Sequence, residues 1–500
     1  MTSIIVGKHT LESLTSGMYS DAYVVFREYI QNSVDSIDEA FRLGALTPGA
    51  EQIVVRLSPT ENQIIITDNG LGIPSLEVEK TLISIGNSKK SSASSRGFRG
   101  IGRLAALSYC QRLSFSTSFK GEAISTQIVI DASKLSTVLA DDSQADMTVV
   151  DVLESVYTAT TSVERESSHY FTVQMDGVDV NSKLLSVLDV EDYLMQNAPV
   201  PYSPDFIWGK EIVRRLRKEG LEIGVYNIFL EYGTKSTPIY KPYKDAFIVD
   251  KGKNITDTVQ DITILKIPNS SNNLTAIGWL AKTGYMGSIY DKAVKGIRLR
   301  KGNILIGDNQ TLNVVFKDAR FNGWSIGEIF AIDKMLVPNA RRDNFEKNPA
   351  YFALLEQLMT VAAGITKDIR TTSLKRNALL SSAIEQLDVT AQQATSAIDE
   401  GVSGFQKNLI SKKLKDAKVA VSSSMTTAES ERYYQDIAFA ELDMLIGKLE
   451  GATRYKALNT LNTLTNTEKK ILERVISIID SLNLDCTDQI IDVILNDFSL

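Results

Sequence analysis

The distribution of proline divides the chain into two parts of different structural character. All 11 prolines lie at or before Pro349, and none follows it. Because proline breaks the interior of a helix, its absence leaves a long segment free to be helical. The same segment is rich in Ala, Leu, Ser, Lys and Glu, a composition that favours helix. We therefore predict an all-helical C-terminal region over residues 351–500.

The chain before Pro349 mixes helical and strand-like segments, which predicts an α+β fold. Its periodicity indicates a helix near residues 21–43 and strands near 52–57 and 63–67. Short β-rich runs dominate after about residue 200. A segment with three prolines, residues 197–206, separates the two patterns and is typical of a connector. The predicted domains are residues 1–200, 201–350 and 351–500.

A regular apolar seam runs through the predicted helical region. Its spacing alternates between steps of four and three, which is typical of packed helices. An internal helical hairpin and an intermolecular coiled coil explain it about equally well. The seam consists of Leu380, Ile384, Leu387, Ala391, Ala394 and Ile398. Further on, Thr465 and Glu468 form a T-x-x-E signature that predicts the start of another helix.

Charge and residue counts argue against several classes of protein. The formal net charge of -7 would repel a nucleic-acid backbone, so any DNA contact needs a local basic patch. The two cysteines and two histidines form no metal-binding spacing, so a metal ion would have to arrive with a nucleotide. No segment offers the ~18 consecutive apolar residues of a membrane-spanning helix. We expect a cytoplasmic protein that does not bind membranes.

The first motif with chemical content is FREYIQNSVDSIDEA. It places Glu28, Asn32 and Asp35 at i, i+4 and i+7, on one face of a predicted helix, with apolar residues on the other side. An amphipathic surface helix has the same pattern. The motif therefore indicates a functional site only if a second sequence motif supplies complementary groups.

The second motif, QIIITDNGLGIP, is a strand-like run that ends in Asp68 and breaks into Gly70 and Gly72. A carboxylate at this position can accept a hydrogen bond from an exocyclic amine. Glycine lets the backbone approach a flat base without a Cβ in the way. Alone, the motif also fits an ordinary turn.

The third motif, ISIGNSKKSSASSRGFRGIGRLAALSYC, is a glycine- and serine-rich loop that leads into an apolar segment. Backbone N–H groups and basic side chains in such a loop can hold a polyphosphate. No Walker-type G-K-[ST] loop is present, so ATP would be held in a different way. The glycines are Gly86, Gly97, Gly100 and Gly102, and the nearby cations are Lys89, Lys90, Arg96 and Arg99.

The three motifs, in this order, resemble the ATP site of the superfamily of gyrase, heat-shock chaperones, histidine kinases and MutL, known as GHKL. REYIQNSVDSI at residues 27–37 is similar to RELISNASDAL of the ninety-kilodalton heat-shock chaperones. GFRG at residues 97–100 is also similar to the MutL proteins, so the loop does not select a subfamily. The resemblance extends to about residue 350 and implies a Bergerat-type ATP-binding α/β sandwich followed by a ribosomal-protein-like α/β middle domain.

The resemblance also implies roles for individual residues. Glu28 would orient or activate the attacking water, Asn32 would bind Mg²⁺, and Asp68 would recognise the adenine amine. The residues from Gly86 to Gly102 would form a lid over the phosphates. The residues expected to bind ATP are Asn32, Asp35, Asp68, Gly70, Gly72, Gly86, Ser88, Lys89, Gly97, Gly100, Ile101 and Gly102.

A segment of the second predicted domain supplies a further expectation. LVPNARRD resembles the LPLNISRE segment of the chaperones' middle domain and places Arg342 where they keep an arginine for the γ-phosphate. Since Arg342 lies far from Asp68 in sequence, we expect domain closure to bring it to the phosphates. Arg341 is the alternative, and a structural ion pair of Arg342 with Asp343 or Glu346 is a competing interpretation. Thr172 is a candidate for the threonine that the chaperones keep after the lid.

Together these features imply a slow, chaperone-like ATPase that closes on ATP with Mg²⁺ and acts on a protein client or effector. We expect a homodimer, and a role in bacterial stress or phage defence is a further hypothesis. The alternative is an ATP-gated clamp or signalling module of the MutL or MORC type, acting on DNA or on an effector protein.

Overall fold

The computed structural model describes residues 6–8, 10–11, 21–84, 102–144, 146–250, 255–269, 272–400, 404–424, 429–452, 464–482, 484 and 486–498. The chain divides into two compact units. The first comprises residues 1–249, 256–284 and 288–366, and the second comprises residues 250–255, 285–287 and 367–500.

A mixed eight-stranded sheet forms the first layer of the first unit. Its strands are β1 (Ile53–Ser58), β2 (Gln63–Asp68), β3 (Arg112–Ser118), β4 (Ile124–Asp131), β5 (Tyr157–Val163), β6 (Tyr170–Asp176), β7 (Ile228–Tyr232) and β8 (Lys235–Pro238). Their order is β5-β4-β3-β6-β2-β1-β7-β8. Strands β1 and β7 are parallel, and the other neighbours are antiparallel. The predicted strands near 52–57 and 63–67 are confirmed as β1 and β2.

The helices associated with this sheet are α1 (Val24–Arg42), α2 (Val78–Ile83), α3 (Ala132–Ala140), α4 (Val149–Val156) and α5 (Val187–Asn197). The predicted helix near 21–43 is confirmed as α1, and its apolar residues Phe26, Ile30, Val34 and Ile37 are buried. A seven-residue 3₁₀ segment, Gly102–Ser108, contacts α1.

The alternation of side chains along β2 explains why Asp68 is buried. Ile64 and Ile66 point into the core of the first unit, and Asp68 is the next residue on the same face. Because side chains alternate across a strand, a carboxylate at this position must enter the layer that contains α1. Asp68 is 1% exposed.

The first sheet takes in chain from beyond residue 200, where we predicted the ATP-binding domain to end. Strand β7 pairs with β1, and β8 pairs with β7. The proline-rich segment between residues 197 and 206 is also packed, because Ala198 and Val200 belong to the first core. This segment therefore connects the two parts of the first unit through buried residues.

A second sheet forms around its own core in the first unit. Its strand order is β11-β12-β15-β13-β14, with β13 and β15 parallel. Helix α6 packs against it, and β9 and β10 form a separate two-stranded sheet. The elements are α6 (Trp208–Lys218), β9 (Ala246–Asp250), β10 (Ile255–Thr258), β11 (Asp261–Pro268), β12 (Leu274–Lys282), β13 (Gly296–Lys301), β14 (Ile304–Ile306) and β15 (Ile326–Ala331).

A buried polar cluster lies within this second core. The Glu328 carboxylate on β15 accepts hydrogen bonds from Lys241 Nζ at 2.6 Å, from the Tyr202 hydroxyl at 2.7 Å and from Trp279 Nε1 at 3.2 Å, and it also pairs with Arg300. Burial would raise the pKa of Glu328, but Arg300 and Lys241 hold that pKa at about 2. Burial and the neighbouring Arg300 lower the pKa of Lys241 to about 7. The single carboxylate of Glu328 thus forms ion pairs with both Lys241 and Arg300.

The chain after Pro349 is helical in its described residues, as predicted. The helices are α7 (Pro349–Glu400), α8 (Gly404–Ser424), α9 (Glu429–Gly451), α10 (Asn466–Ser481) and α11 (Thr487–Asp497). Residues of the predicted seam pack inside the chain, since Leu387 and Ala394 share a core with residues of α8 and α9. This packing corresponds to the internal hairpin interpretation. The predicted Thr465 and Glu468 capping box is present at the start of α10.

No helix among the described residues combines the length and the apolar character that crossing a membrane requires.

Candidate active site

Glu28 lies on α1 between two arginine side chains. Arg27 Nη2 lies 3.5 Å from Glu28 Oε1, and Arg342 Nε lies 3.4 Å from the same oxygen. Glu28 is 8% exposed, so these cations face it with little solvent between the groups. Charged groups attract one another more strongly in such surroundings than in water. The carboxylate is therefore held in a defined position.

Gly102 packs against another side of this carboxylate. A Cβ added at Gly102 would collide with Glu28, with its carboxyl carbon at 2.9 Å. The backbone can approach the carboxylate this closely because glycine has no side chain. The neighbouring residues reinforce the contact, since the Tyr29 hydroxyl donates to the carbonyl oxygen of Arg103 at 2.9 Å. The structure thus brings together two residues from separate motifs.

Asp68 shapes the turn that follows β2. Its Oδ1 accepts a hydrogen bond from the Gly70 N–H at 2.9 Å. Helix α1 contacts the same turn, because Ser36 Oγ accepts a hydrogen bond from the Leu71 N–H at 3.0 Å. A Cβ at Gly70 would lie 2.8 Å from both Asp68 Oδ1 and Ser36 Cβ. The first two motifs therefore meet at this turn.

Gly72 is required by the backbone of its own turn. Its φ is +78°, a value that glycine adopts without strain. A Cβ at this position would collide with the backbone of Ser118, with the carbonyl carbon at 2.8 Å. The next residue is held by Thr117, whose Oγ1 accepts a hydrogen bond from the Ile73 N–H at 3.0 Å. Contact between Gly72 and a bound adenine stays a prediction.

The remaining predicted residues fall into two groups. Asn32 and Asp35 are half-buried on α1. Thr172 lies on β6, where its Oγ1 is 3.0 Å from the Thr67 Oγ1 of β2. The other predicted phosphate-loop residues lie outside the described part of the chain, and their roles stay predictions. These are Gly86, Ser88, Lys89, Gly97, Gly100 and Ile101.

Arg342 lies at this site. Domain closure that brings it to the phosphates stays a prediction, but its guanidinium contacts Glu28. The reason is that the loop around Arg342 lies against α1, where Arg27 Nη2 donates to the carbonyl oxygen of Arg341 at 2.9 Å. Arg342 is 8% exposed and has a φ of +56°, whereas Arg341 is exposed. Of the two arginines, Arg342 is thus the one whose side chain contacts Glu28, and which of them reaches the γ-phosphate stays a prediction.

A second connection joins the two sheets of the first unit at the end of α5. The Arg300 Nη2 on β13 donates to the carbonyl oxygen of Gln196 at 2.9 Å, and Arg298 Nη2 donates to Gln196 Oε1 at 3.3 Å. Both arginines are 1% exposed. On the same helix, the ring of Tyr193 stacks on Tyr23, with 5.4 Å between centroids. Tyr23 immediately precedes α1, so α5 connects β13 with the helix that carries Glu28.

Several residues of the site were missed by sequence reasoning. Ser36 could have been found, because it follows Glu28, Asn32 and Asp35 on the same helix face. His169 had no such signal, although its Nδ1 lies 2.7 Å from the carbonyl oxygen of Gly70. Among the described residues, no group of three or more His, Cys, Asp and Glu side chains could hold a metal ion.

Residues 19–160 match the family model of histidine kinase-, DNA gyrase B- and HSP90-like ATPases. This match supports a GHKL-type ATPase domain. Such domains bind ATP, typically with Mg²⁺, and generally hydrolyse it. None of the curated proteins compared with the chain matches it.

The match to the GHKL-type domain includes all three motifs found in the sequence, and it ends before β6, β7 and β8. It therefore includes Glu28, Asn32 and Asp68, whereas Arg342 lies outside it. The eight-stranded sheet with its helices fits this fold.

Proposed function

We propose that the protein is an ATPase in which Glu28 orients or activates the attacking water. The observation that carries this proposal is the placement of Glu28, with guanidinium groups on one oxygen and the Gly102 backbone against its carboxylate. Phosphoryl transfer to water needs a positioned nucleophile and cations that offset the charge of the phosphates. Arg342, which contacts Glu28, would supply one such cation when ATP is bound.

Asp68 is proposed to recognise the adenine amine. The support is its burial in the layer that contains α1 and the fixed turn that follows it. A buried carboxylate that receives an exocyclic amine gives specificity for adenine over bases without that amine, because an unpaired buried carboxylate is costly.

Asn32 is proposed to hold the Mg²⁺ that accompanies ATP. It lies one helical turn from Glu28 and is half-buried, so its side-chain oxygen fits the preference of Mg²⁺ for oxygen ligands. Bound Mg²⁺ would neutralise charge on the phosphates.

The chain is further proposed to act on a protein partner, as a homodimer that uses ATP to change the arrangement of its domains. Two connections support this coupling: the contact of Arg342 with Glu28, and the hydrogen bonds of Arg298 and Arg300 with Gln196. Both join the part of the first unit that carries the second sheet to elements around Glu28. A change at the phosphates would therefore reach that part directly.

The test of the proposed function separates binding from turnover. We expect Asp68→Asn to abolish Mg·ATP binding in isothermal titration calorimetry. Glu28→Ala should bind Mg·ATP and lose hydrolysis by ~10²- to 10⁴-fold, since it lacks the group that positions water. Glu39 lies on the same helix, pairs with Arg42 and has a side chain that is 44% exposed. It provides the matched control Glu39→Ala, which should keep both properties. Normal turnover in Glu28→Ala would refute the proposed role.

A further inference from the structure

Arg103 occupies an unusual position next to the proposed active site. It directly follows Gly102, and its side chain reaches the end of α2. Its Nε donates to the carbonyl oxygen of Leu82 at 2.9 Å, and its Nη2 donates to that of Ser84. One guanidinium therefore holds two carbonyl groups, of residues two positions apart, at the C-terminal end of α2.

The backbone of Arg103 has a third attachment. Its carbonyl oxygen accepts the hydrogen bond from the Tyr29 hydroxyl, and Tyr29 is the neighbour of Glu28 on α1. Gly102, the residue before Arg103, packs on the Glu28 carboxylate. Arg103 is thus attached to α2 through its side chain and to α1 through its backbone, with the Gly102 and Glu28 contact directly beside it.

The guanidinium makes these contacts at a cost. Among the described residues, no carboxylate pairs with Arg103, and both acceptors of its side chain are carbonyl oxygens. Burial lowers the pKa of Arg103 to about 10, so the side chain still carries its charge at neutral pH. An apolar side chain of similar length would avoid the cost of burying a cation but could not hold two carbonyls in a fixed geometry.

We infer that Arg103 is a positioning residue for the proposed reaction, which holds the Gly102 backbone against Glu28 and so limits the orientations of that carboxylate. The inference rests on the proposed ATPase function. Because Arg103 acts through Gly102 and not on the nucleotide, its loss should affect turnover more than affinity. A small displacement of a reacting group costs up to about 10²-fold in rate.

The experiment compares Arg103→Met, Arg103→Lys and Tyr29→Phe in the full chain. We expect Arg103→Met to lower kcat by ~10- to 100-fold while the Kd for Mg·ATP stays within about threefold. Arg103→Lys should retain more activity, since an ammonium group can still donate to one carbonyl. The matched control is Arg112→Met, which changes an exposed arginine on β3 and should leave kcat unaltered. Melting temperatures are recorded for every variant.

A double-mutant cycle supplies a readout that loss of stability alone would not produce. If Tyr29 and Arg103 hold the same backbone segment, the combined variant should lose less activity than the product of the two single losses. A folded Arg103→Met protein with normal kcat overturns the inference. If affinity, kcat and melting temperature all fall together in Arg103→Met, the arginine has only a structural role, and the inference is overturned as well. If Arg103→Met does not fold, an unaltered kcat in both Arg103→Lys and Tyr29→Phe overturns the inference.

The outcome for the parent protein separates this inference from the proposed function. If the parent binds Mg·ATP but does not hydrolyse it, the proposed ATPase function fails, and the role of Arg103 fails with it. If the parent hydrolyses ATP and only the Arg103 and Tyr29 variants are unaltered, the ATPase function stands and this inference alone is wrong.

Discussion

Arg342 has a backbone conformation that residues other than glycine seldom adopt. Its φ of +56° lies in the left-handed region, and its carbonyl oxygen accepts a hydrogen bond from Gly307 at 2.9 Å. Strained residues of this kind persist only where the surrounding structure holds them, and they concentrate at functional sites. The strain here places a guanidinium on Glu28, which supports a role for the side chain itself.

Replacing Arg342 should therefore reduce turnover more than affinity. We expect Arg342→Ala to bind Mg·ATP within a few-fold of the parent and to hydrolyse it at least ~10-fold more slowly, because the cation acts on charge that develops during transfer. Arg342→Gly removes the same side chain and suits the left-handed backbone, so it should be at least as stable as Arg342→Ala. Arg341→Ala is the control, with a smaller effect.

Steady-state hydrolysis and calorimetric titration are the measurements for these three variants. A folded Arg342→Gly protein with normal hydrolysis removes Arg342 from the mechanism. A melting temperature that falls in both Arg342 variants, with affinity and turnover falling together, would instead favour a structural ion pair with Glu28.

Lys241 leads to a prediction about pH. Burial and Arg300 lower the pKa of Lys241 to about 7, whereas an unfolded lysine titrates near about 10.4. Between these values the unfolded chain binds more protons than the folded one, so this lysine makes the free energy of unfolding rise with pH. The loss of stability that comes from burying the charged form of Lys241 is complete below pH 7 and disappears towards pH 10.

The change Lys241→Met should flatten this dependence. Urea unfolding at pH 7 and pH 9.5 measures the free energy of unfolding of the parent, of Lys241→Met and of the exposed control Lys244→Met. We expect the gain between the two pH values to be smaller in Lys241→Met than in the other two proteins. Equal gains in all three would show that Lys241 stays protonated in the folded protein.

At the scale of elements, helix α10 has apolar residues on two sides, of which one is buried and the other is exposed. The residues Leu472 and Ile476 are buried against neighbouring helices of the second unit. Another stripe is exposed on the same helix and on the residue that follows it, with Ile471, Val475, Ile478 and Leu482 between 41% and 60% accessible. Their spacing of four, three and four residues is that of a helix seam.

We expect this stripe to contribute to self-association of the chain. The double change Val475→Glu and Ile478→Glu should lower the mass measured by light scattering, because charges at a helix seam oppose its burial. Ser477→Glu, on the opposite side of α10, is the control and should leave the mass unaltered. A parent protein that is monomeric with and without ATP would contradict this expectation.

The elements also show what the sequence could predict. Helix α1 and strands β1 and β2 were predictable because local periodicity determines them. The positions of Glu28, Asn32 and Asp68 on these elements followed from the same periodicity. The pairing of β7 with β1 was not, since nothing local marks a parallel partner so far along the chain. The contact of Gly102 with Glu28 and the position of Arg342 depend on the same long-range packing. Resemblance could suggest those residues, but it could not give their contacts.

At the scale of the whole molecule, net charge bears on whether the partner of the proposed ATPase is DNA or a protein. A clamp on DNA needs a basic surface, and its affinity falls steeply with salt because counterions are released. The chain carries a formal charge of -7. We therefore propose a protein partner, since DNA binding would need a local basic patch on this acidic chain.

We expect no DNA binding that depends on ATP. Fluorescence anisotropy with labelled duplex DNA at 50 and 200 mM salt, with and without a non-hydrolysable ATP analogue, measures this directly. The Glu28→Ala variant, trapped with ATP, provides an independent sample of the nucleotide-bound state. Tight binding that appears only with the analogue, together with a steep loss between the two salt concentrations, would favour the clamp.

The pairing of β1 with β7 has a consequence for how the protein is made. Residues 53–57 of β1 lie beside residues 228–232 of β7 in the same sheet. Translation proceeds at about 5–20 residues per second, so β1 waits several seconds or more for this neighbour. During that interval the sheet ends at β1, and an unpaired strand edge is a template for pairing with other chains. The nascent protein should thus be most prone to aggregation after the residues proposed to bind nucleotide have emerged and before β7 and β8 complete the sheet.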